Sequence, residues 1–286
     1  EEKRFLKKNI NKLFCLIIFY TFITFIFWPF LWESPVNNFM FTLKSFANFN
    51  MSFEIFYLGE FYNIKNLPWH YIPIWIFVTT PLIFFIFFLV GFLNINILFF
   101  KNFCNLSNKN KLWKNIEQKK DFFILLFFTI PIFLVIFLNS TLYTGWRHLY
   151  FIYPCLTYFI ALGLKFIFTK KNLKPYKETF VAIVGLSLIL NTYNLIKLHP
   201  YQNIYFNFLI ERKAKNYFEI DYWGLGNKEA LAFLKQIDDE KINLKVASFS
   251  PFEYSRLIQE NSTLNKFSFI GTSEKDLKYI FTNYIF

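Results

Sequence analysis

Apolar positions in this chain fall in runs with no polar face at either helical or strand spacing. The longest, FFILLFFTIPIFLVIFL, covers Phe122 to Leu138. A helix rises about 1.5 Å per residue, so some 20 apolar residues cross about 30 Å of hydrocarbon. On this criterion five membrane spans are predicted, at about 13–32, 71–99, 122–139, 149–168 and 179–197. The second is long enough to tilt or to begin as an interfacial turn. Pro73, Pro81, Pro131 and Pro154 lie in or at the edges of these spans, where packed neighbours satisfy the carbonyls they free.

Between the first two spans, residues 33–70 are too long for a plain connector. SPVNNFMFTLKSFANF opens on Ser-Pro and places Phe39, Leu43 and Phe46 on one face, which predicts a helix lying along the membrane surface. Gly59 then punctuates an extended stretch, and Glu54 and Glu60 are the loop's acids after Glu33. After residue 198 the hydropathy drops. Asp221 to Gly224 reads as a tight aromatic turn, with Asn227 as N-cap of a helix through Ile237. INLKVASFS reads as a strand, PFEYSRLIQE as a helix, and NKFSFIG and DLKYIFTNYIF as strands. The predicted fold is mainly α: a polytopic membrane bundle over 1–198, followed by a small α/β domain over 199–286 outside the membrane.

Charge orients the bundle. Lys3, Arg4, Lys7, Lys8 and Lys12 precede span one; Lys101 to Lys120 and Lys170 to Lys177 fill the loops after spans two and four. The alternate loops hold only Lys44, Lys65 and Arg147. Cytoplasmic loops collect Lys and Arg, so the basic set is inside and everything after Leu198 is outside. These basic loops are read as topology and anionic-lipid contact, not nucleic-acid binding. The chain has 286 residues, a net charge of +12, 55% hydrophobic and 24% aromatic residues, and 44 Phe. Base composition of the gene accounts for the Phe excess as readily as selection, so no stacking of nucleic-acid bases is argued from it. EEKRFLKKNINK does not read as a signal peptide, since it carries acids and no small-residue cleavage site follows. Cys15, Cys104 and Cys155 lack metal-site or disulfide spacing. No glycine-rich phosphate loop, HExxH, CxxC or GxSxG motif occurs.

The outer ends of the spans collect the unusual chemistry. His70, His148 and His199 all fall there, and Trp69 and Trp146 adjoin two of them. An aromatic belt explains the tryptophans without any further function. Arg147, inside TLYTGWRHLYFIYP, opens span four. A guanidinium at that depth faces the bundle interior, water or an anion; its planar fork suits phosphate or carboxylate, and the helix N-terminus favours a bound anion. A snorkelling anchor is the alternative.

Four strings, NLPWHYIPIWIFVTTPL, TLYTGWRHLYFIYP, LHPYQNIYFN and FEIDYWG, resemble in this order the downstream half of bacterial membrane glycosyltransferases. These are the GT-C superfamily enzymes of glycosyltransferase family 39, the protein O-mannosyltransferase-like group. The resemblance covers the chain from about Leu67 to Gly224. It implies a multi-span enzyme that takes sugar from a polyprenyl-phosphate donor to a protein, lipid or glycan acceptor at the outer membrane face. A divalent cation at the donor phosphate is compatible with it. Carried over, Arg147 and His148 would hold the donor phosphate, with Trp69, His70, Glu60 and Trp146 at the cavity rim. Tyr201, Tyr205, Asp221 and Trp223 would pack the outer domain. The family's catalytic acid belongs to a loop near the start of the full chain, and residues 33–70 contain no Asp; the general base is therefore expected upstream of Glu1, and this chain alone is expected to be inactive. A transporter, which would place functional ionisable groups near mid-membrane, and a non-catalytic scaffold with an outer interaction domain remain the alternatives.

Overall fold

The computed structural model describes residues 2–47, 52–106, 112–170, 175–237, 242–246, 267–270 and 279–281. The chain divides into two compact units, Glu1–Met51 and Ser52–Phe286.

In the first unit, α1 (Glu2–Phe27) is followed by a 3₁₀ turn, Pro29–Leu31, and by α2 (Pro35–Ala47). Pro29 has no N–H to extend the helix and disfavours helical geometry just before it, so α1 ends earlier than the predicted 13–32 span. Its apolar part, Lys12–Phe27, is about 24 Å long at helical rise, short of a bilayer core. The segment predicted as a surface helix is helical, α2, with Pro35 at its first position and the Asn38 N–H donating to Ser34 O at 2.8 Å. Phe39 and Leu43 are exposed.

The second unit opens with an antiparallel hairpin, β1 (Glu54–Tyr57) and β2 (Glu60–Asn63). Leu58 (φ 53°) and Gly59 (φ 86°) are both left-handed, as a tight hairpin turn compatible with strand twist requires. Among the described residues, four helices are long and apolar enough to cross a membrane: α4 (Leu82–Cys104), α5 (Ile116–Phe137), the continuous stretch Arg147–Thr169 containing α6 (Tyr153–Thr169), and α7 (Lys177–Lys197). The chain is on this ground a membrane protein.

The predicted second span is two helices. α3 (Tyr71–Thr79) stops at Thr80, which is extended (φ −100°, ψ 133°) because Pro81 follows. A break there leaves the last carbonyls of α3 without helical partners. Asn207, fully buried and more than a hundred residues on, supplies them: its backbone N–H donates to Val78 O at 2.8 Å, and its Nδ2 to Phe77 O at 2.7 Å and Thr80 O at 3.3 Å.

α4 and α6 approach most closely at Gly91 and Gly163. A Cβ on Gly91 would lie 2.0 Å from Phe159 O, and one on Gly163 would lie 2.0 Å from Phe87 O, so only hydrogen fits at the crossing. Phe88, Phe128 and Phe159 close the core beside it with ring centroids 5.5–6.2 Å apart. α7 buries none of its residues.

One buried cluster joins the hairpin, α3 and the chain after α7. Tyr57, Tyr71, Trp75, Phe206 and Phe218 pack with centroids 4.9–6.2 Å apart, and Tyr57 bridges Phe218. Residues 206–218, read from sequence as the start of a separate domain, therefore share this core. Further on, α8 (Asn227–Ile237) begins at Asn227 itself. In the turn just before it, the Asp221 carboxylate accepts from the N–H groups of Leu225 (3.1 Å) and Gly226 (2.9 Å). Strands β3 (Ile242–Val246), β4 (Phe267–Ile270) and β5 (Tyr279–Phe281) form a parallel sheet of order β4-β3-β5, in line with the strands expected there. The helix expected at 251–260 lies outside the described residues.

Candidate functional site

A cavity of about 720 Å³ opens where α3 breaks. Trp75 and Thr79 come from α3, Gly145 to Tyr153 from the entry to α6, Asn191 and Leu195 from α7, and Gln202 to Tyr222 from the chain beyond. The α6 entry is held against α3 by two long-range bonds. Gly145 N–H donates to the Tyr71 hydroxyl at 3.2 Å, and Trp146 Nε1 to Thr79 Oγ1 at 3.0 Å. Gly145 has φ +73° and its Cβ position lies 3.6 Å from the Trp75 ring, so the turn needs a residue that tolerates a left-handed backbone against an indole face.

This turn delivers Arg147. Its guanidinium carbon sits 4.4 Å from the centroid of Tyr143 and 4.9 Å from that of Trp223. Ring contacts of this kind contribute about 0.5–2 kcal/mol each, most when water is excluded. They place the guanidinium carbon over two aromatic rings. No ion pair to Arg147 is seen among the described residues. Arg147 and Trp223 do not line the cavity themselves; their chain neighbours Trp146 and Tyr222 do, and the Arg147 charge acts on Tyr222.

Inside the cavity the distinctive group is Glu219, 4% exposed. Loss of water pushes its carboxyl up to about 7, against a smaller opposing pull from the Phe56 backbone N–H. Burial first, then Tyr150, push Tyr222 up to about 12, with Trp223 and Arg147 pulling the other way; its phenol stays neutral and able to donate at neutral pH. A second cavity of about 600 Å³, with Lys197 and Glu211 in its wall, adjoins the first and shares Pro81, Asn191, Tyr205, Phe206 and Ile220 with it. Its other walls include Leu82, Ile86, Ile183 and Leu190 of α4 and α7.

The residues expected from sequence divide between these places. Arg147 and His148 come together around Tyr143, with the exposed His148 ring 4.8 Å from it. Of the expected rim residues only Trp146 lines the large cavity. Trp69 lines a void of about 20 Å³, and neither Glu60 nor His70 lines the large cavities. His70 is engaged through Nδ1 with the Tyr57 hydroxyl at 2.7 Å, and Glu60 accepts from Tyr62 at 2.8 Å. His199 meets Gln202 Nε2 at 3.0 Å. Tyr205 lines both cavities, Tyr201 hydrogen-bonds Glu229, and Asp221 also accepts from Asn203 Nδ2 at 3.2 Å. Sequence reasoning missed Glu219, Trp75, Asn203 and Asn207 as individuals, although each lies in one of the four quoted strings. An acid set between Phe218 and Ile220 was the signal available for Glu219.

Among the described residues no group of three or more His, Cys, Asp or Glu side chains converges. The chain matches no family model, no curated protein and no solved structure.

Proposed function

We propose that the chain is part of a membrane glycosyltransferase that moves a sugar from a polyprenyl-phosphate donor to an acceptor at the outer membrane face. One observation carries this reading. The four strings that resemble such enzymes are far apart in sequence, yet all four contribute walls to the same cavity: Trp75 and Thr79, Gly145 and Tyr150, Gln202 and Phe206, Glu219 and Tyr222.

Arg147 holds the donor phosphate in this reading. Contacts with the Tyr143 and Trp223 rings restrain its guanidinium, so less side-chain freedom is lost when it makes paired charge-assisted bonds. As the bond from the sugar carbon to the phosphate oxygen breaks, charge grows on that oxygen and the same edge stabilises it. The acceptor oxygen forms the new bond to the sugar carbon and gives up its proton to a base that is assigned to no residue of this chain. The adjoining cavity has Leu82, Ile86, Ile183 and Leu190 of α4 and α7 in its wall, where a prenyl chain would lie. The groups around Arg147 are aromatic rings, and Asp221 is occupied by Asn203, Leu225 and Gly226. They do not offer the oxygen set that a divalent cation takes, so no step runs through one.

The test is binding of sugar-free polyprenyl phosphate to the reconstituted full-length protein. Losing paired charged bonds costs about 1.5–3 kcal/mol, so Arg147→Ala should weaken binding about 10- to 100-fold. Unchanged affinity would remove the phosphate role.

A further inference from the structure

The chain that follows α7 carries an exposed apolar tip and a run of cations that the proposed donor site does not use. Asn207 fixes the start of this stretch at the break between α3 and α4, through its bonds to Val78, Phe77 and Thr80. The next turns close back on it. The N–H groups of Ile210 and Glu211 donate to Asn207 O at 3.0 and 2.9 Å, and the Lys213 N–H to Ile210 O at 2.8 Å. A 3₁₀ helix, Glu211–Asn216, follows. Its Ala214 is buried, whereas Arg212, Lys213 and Lys215 are exposed. Three residues make a turn of such a helix, so Arg212 and Lys215 share a face and Lys213 flanks it.

The tip lies at the edge of the hydrocarbon. Phe208 shares a cavity wall with Pro81 and Leu82, where α4 begins, and with Leu198, where α7 ends. It is 76% exposed, against 70% for Phe100 and 71% for Phe137 on the spans α4 and α5. Leu209 beside it is also exposed. An exposed Phe-Leu pair is unfavourable in water and favourable in the interfacial zone of a bilayer. Lys197, in the last turn of α7, is exposed and lines the same wall as Phe208.

Charge selects the lipid. Among the described residues no ion pair engages Lys197, Arg212, Lys213 or Lys215, and the acid of the run, Glu211, lines the second cavity. On the orientation read from the lysines this is the outer surface, where Lys and Arg are depleted near span ends. A cationic cluster there runs against that bias. Cations beside an inserted apolar pair suit a negatively charged bilayer surface, each Lys or Arg strengthening attachment by a factor of about five. An acidic soluble protein would satisfy the cations and leave Phe208 in water. Arg147 is not part of this surface, since its guanidinium lies over Tyr143 and Trp223.

We propose that Phe208, Leu209, Arg212, Lys213 and Lys215 form a docking surface for anionic phospholipid of the surrounding bilayer. The apolar pair enters among the acyl chains and the cations meet the charged headgroups. Through Asn207 the same contact holds the break between α3 and α4 at a fixed depth. The inference is independent of sugar transfer and stands or falls separately from it.

The experiment uses the full-length protein in vesicles, with Leu209→Cys carrying a bimane label and the other accessible cysteines replaced by serine. Quenching by phosphatidylglycerol brominated on its acyl chains is compared with quenching by equally brominated phosphatidylcholine. Both lipids should quench, and phosphatidylglycerol should associate at least about fivefold more strongly. The triple variant Arg212→Gln, Lys213→Gln, Lys215→Gln should bring that preference close to one and leave quenching by phosphatidylcholine unchanged. About 1 M salt, which screens charges within about 3 Å, should do the same without any substitution. Absence of quenching by either lipid would overturn the proposal and give the surface to a soluble partner. Equal association of the two lipids, or an undiminished preference in the triple variant, would overturn it as well. So would displacement of the brominated phosphatidylglycerol by a few mole percent of sugar-free polyprenyl phosphate, which would make the patch part of the donor site. Should the triple variant fail to fold, the salt series decides alone: a preference that survives high salt overturns the role of the cations.

Discussion

Replacing Glu219 by Gln removes a titrating carboxyl from the second unit's interior and keeps an oxygen for the Phe56 N–H. The wild-type carboxyl moves from an ordinary 4.5 to about 7 on folding, a rise of about 2.5. At 1.36 kcal/mol per pKa unit this is on the order of 3 kcal/mol. The sign follows from proton counting. Between pH 4.5 and 7 the folded state holds a proton on Glu219 that the unfolded state has released, so stability falls as pH rises through this window. The contribution is fully present below about 4.5 and gone above about 7. Gln has no proton to lose, so its stability curve lacks this slope. For a chain of this size about 3 kcal/mol corresponds to a melting shift of roughly 5–10 °C. Thermal melting of both proteins in the same nanodiscs, at half-unit steps from pH 4.5 to 8, reads the difference directly. The gap between Glu219→Gln and wild type should widen by that amount in favour of the variant as pH rises. Parallel curves would refute a buried, water-stripped carboxyl at this position.

Other consequences are local. Asn207→Ala leaves the Phe77 and Thr80 carbonyls without their side-chain donor and should cost about 2–4 kcal/mol in thermal or denaturant unfolding; a cost below about 0.5 kcal/mol would mean the break after α3 is closed another way. Gly91→Ala forces a methyl onto Phe159 O and should destabilise by about 1–3 kcal/mol. Gly185→Ala, where nothing lies within 4 Å, should be neutral or stabilising by up to about 1 kcal/mol; equal losses in the two variants would refute the α4–α6 crossing. Cys104 is an exposed thiol at the basic end of α4, so an impermeant maleimide should label it in inside-out vesicles and not in right-side-out ones. The opposite pattern would reverse the orientation read from the lysines.

Hydropathy alone located α4, α5, α6 and α7, because a run that must be apolar all round is legible without knowing its neighbours. It merged α3 with α4, because Pro81 in a span is compatible with either a kink or a break. The choice is made by Asn207, a partner distant in sequence. Arg147 was visible as a costly cation, whereas its clamp was not: Trp223 reaches it only through the fold. The lining of the large cavity was hidden for the same reason. Trp69, His70 and Glu60 were grouped with Arg147 by their position near the membrane surface, and the hairpin instead engages His70 through Tyr57. Gly91 and Gly163 carry no local pattern that distinguishes them from Gly185. Glu219 lay in plain view in FEIDYWG, but its burial comes from β1 and α3 and cannot be read from its neighbours in the chain.

The central claim is that Arg147 serves a polyprenyl-phosphate donor. The most direct test reconstitutes the full-length protein with a radiolabelled polyprenyl-phosphate sugar and follows transfer and donor affinity for wild type and Arg147→Ala. The account predicts transfer by wild type and at least about a tenfold loss of both donor affinity and transfer in the variant. Transfer at the wild-type rate with unchanged donor affinity in Arg147→Ala would contradict it.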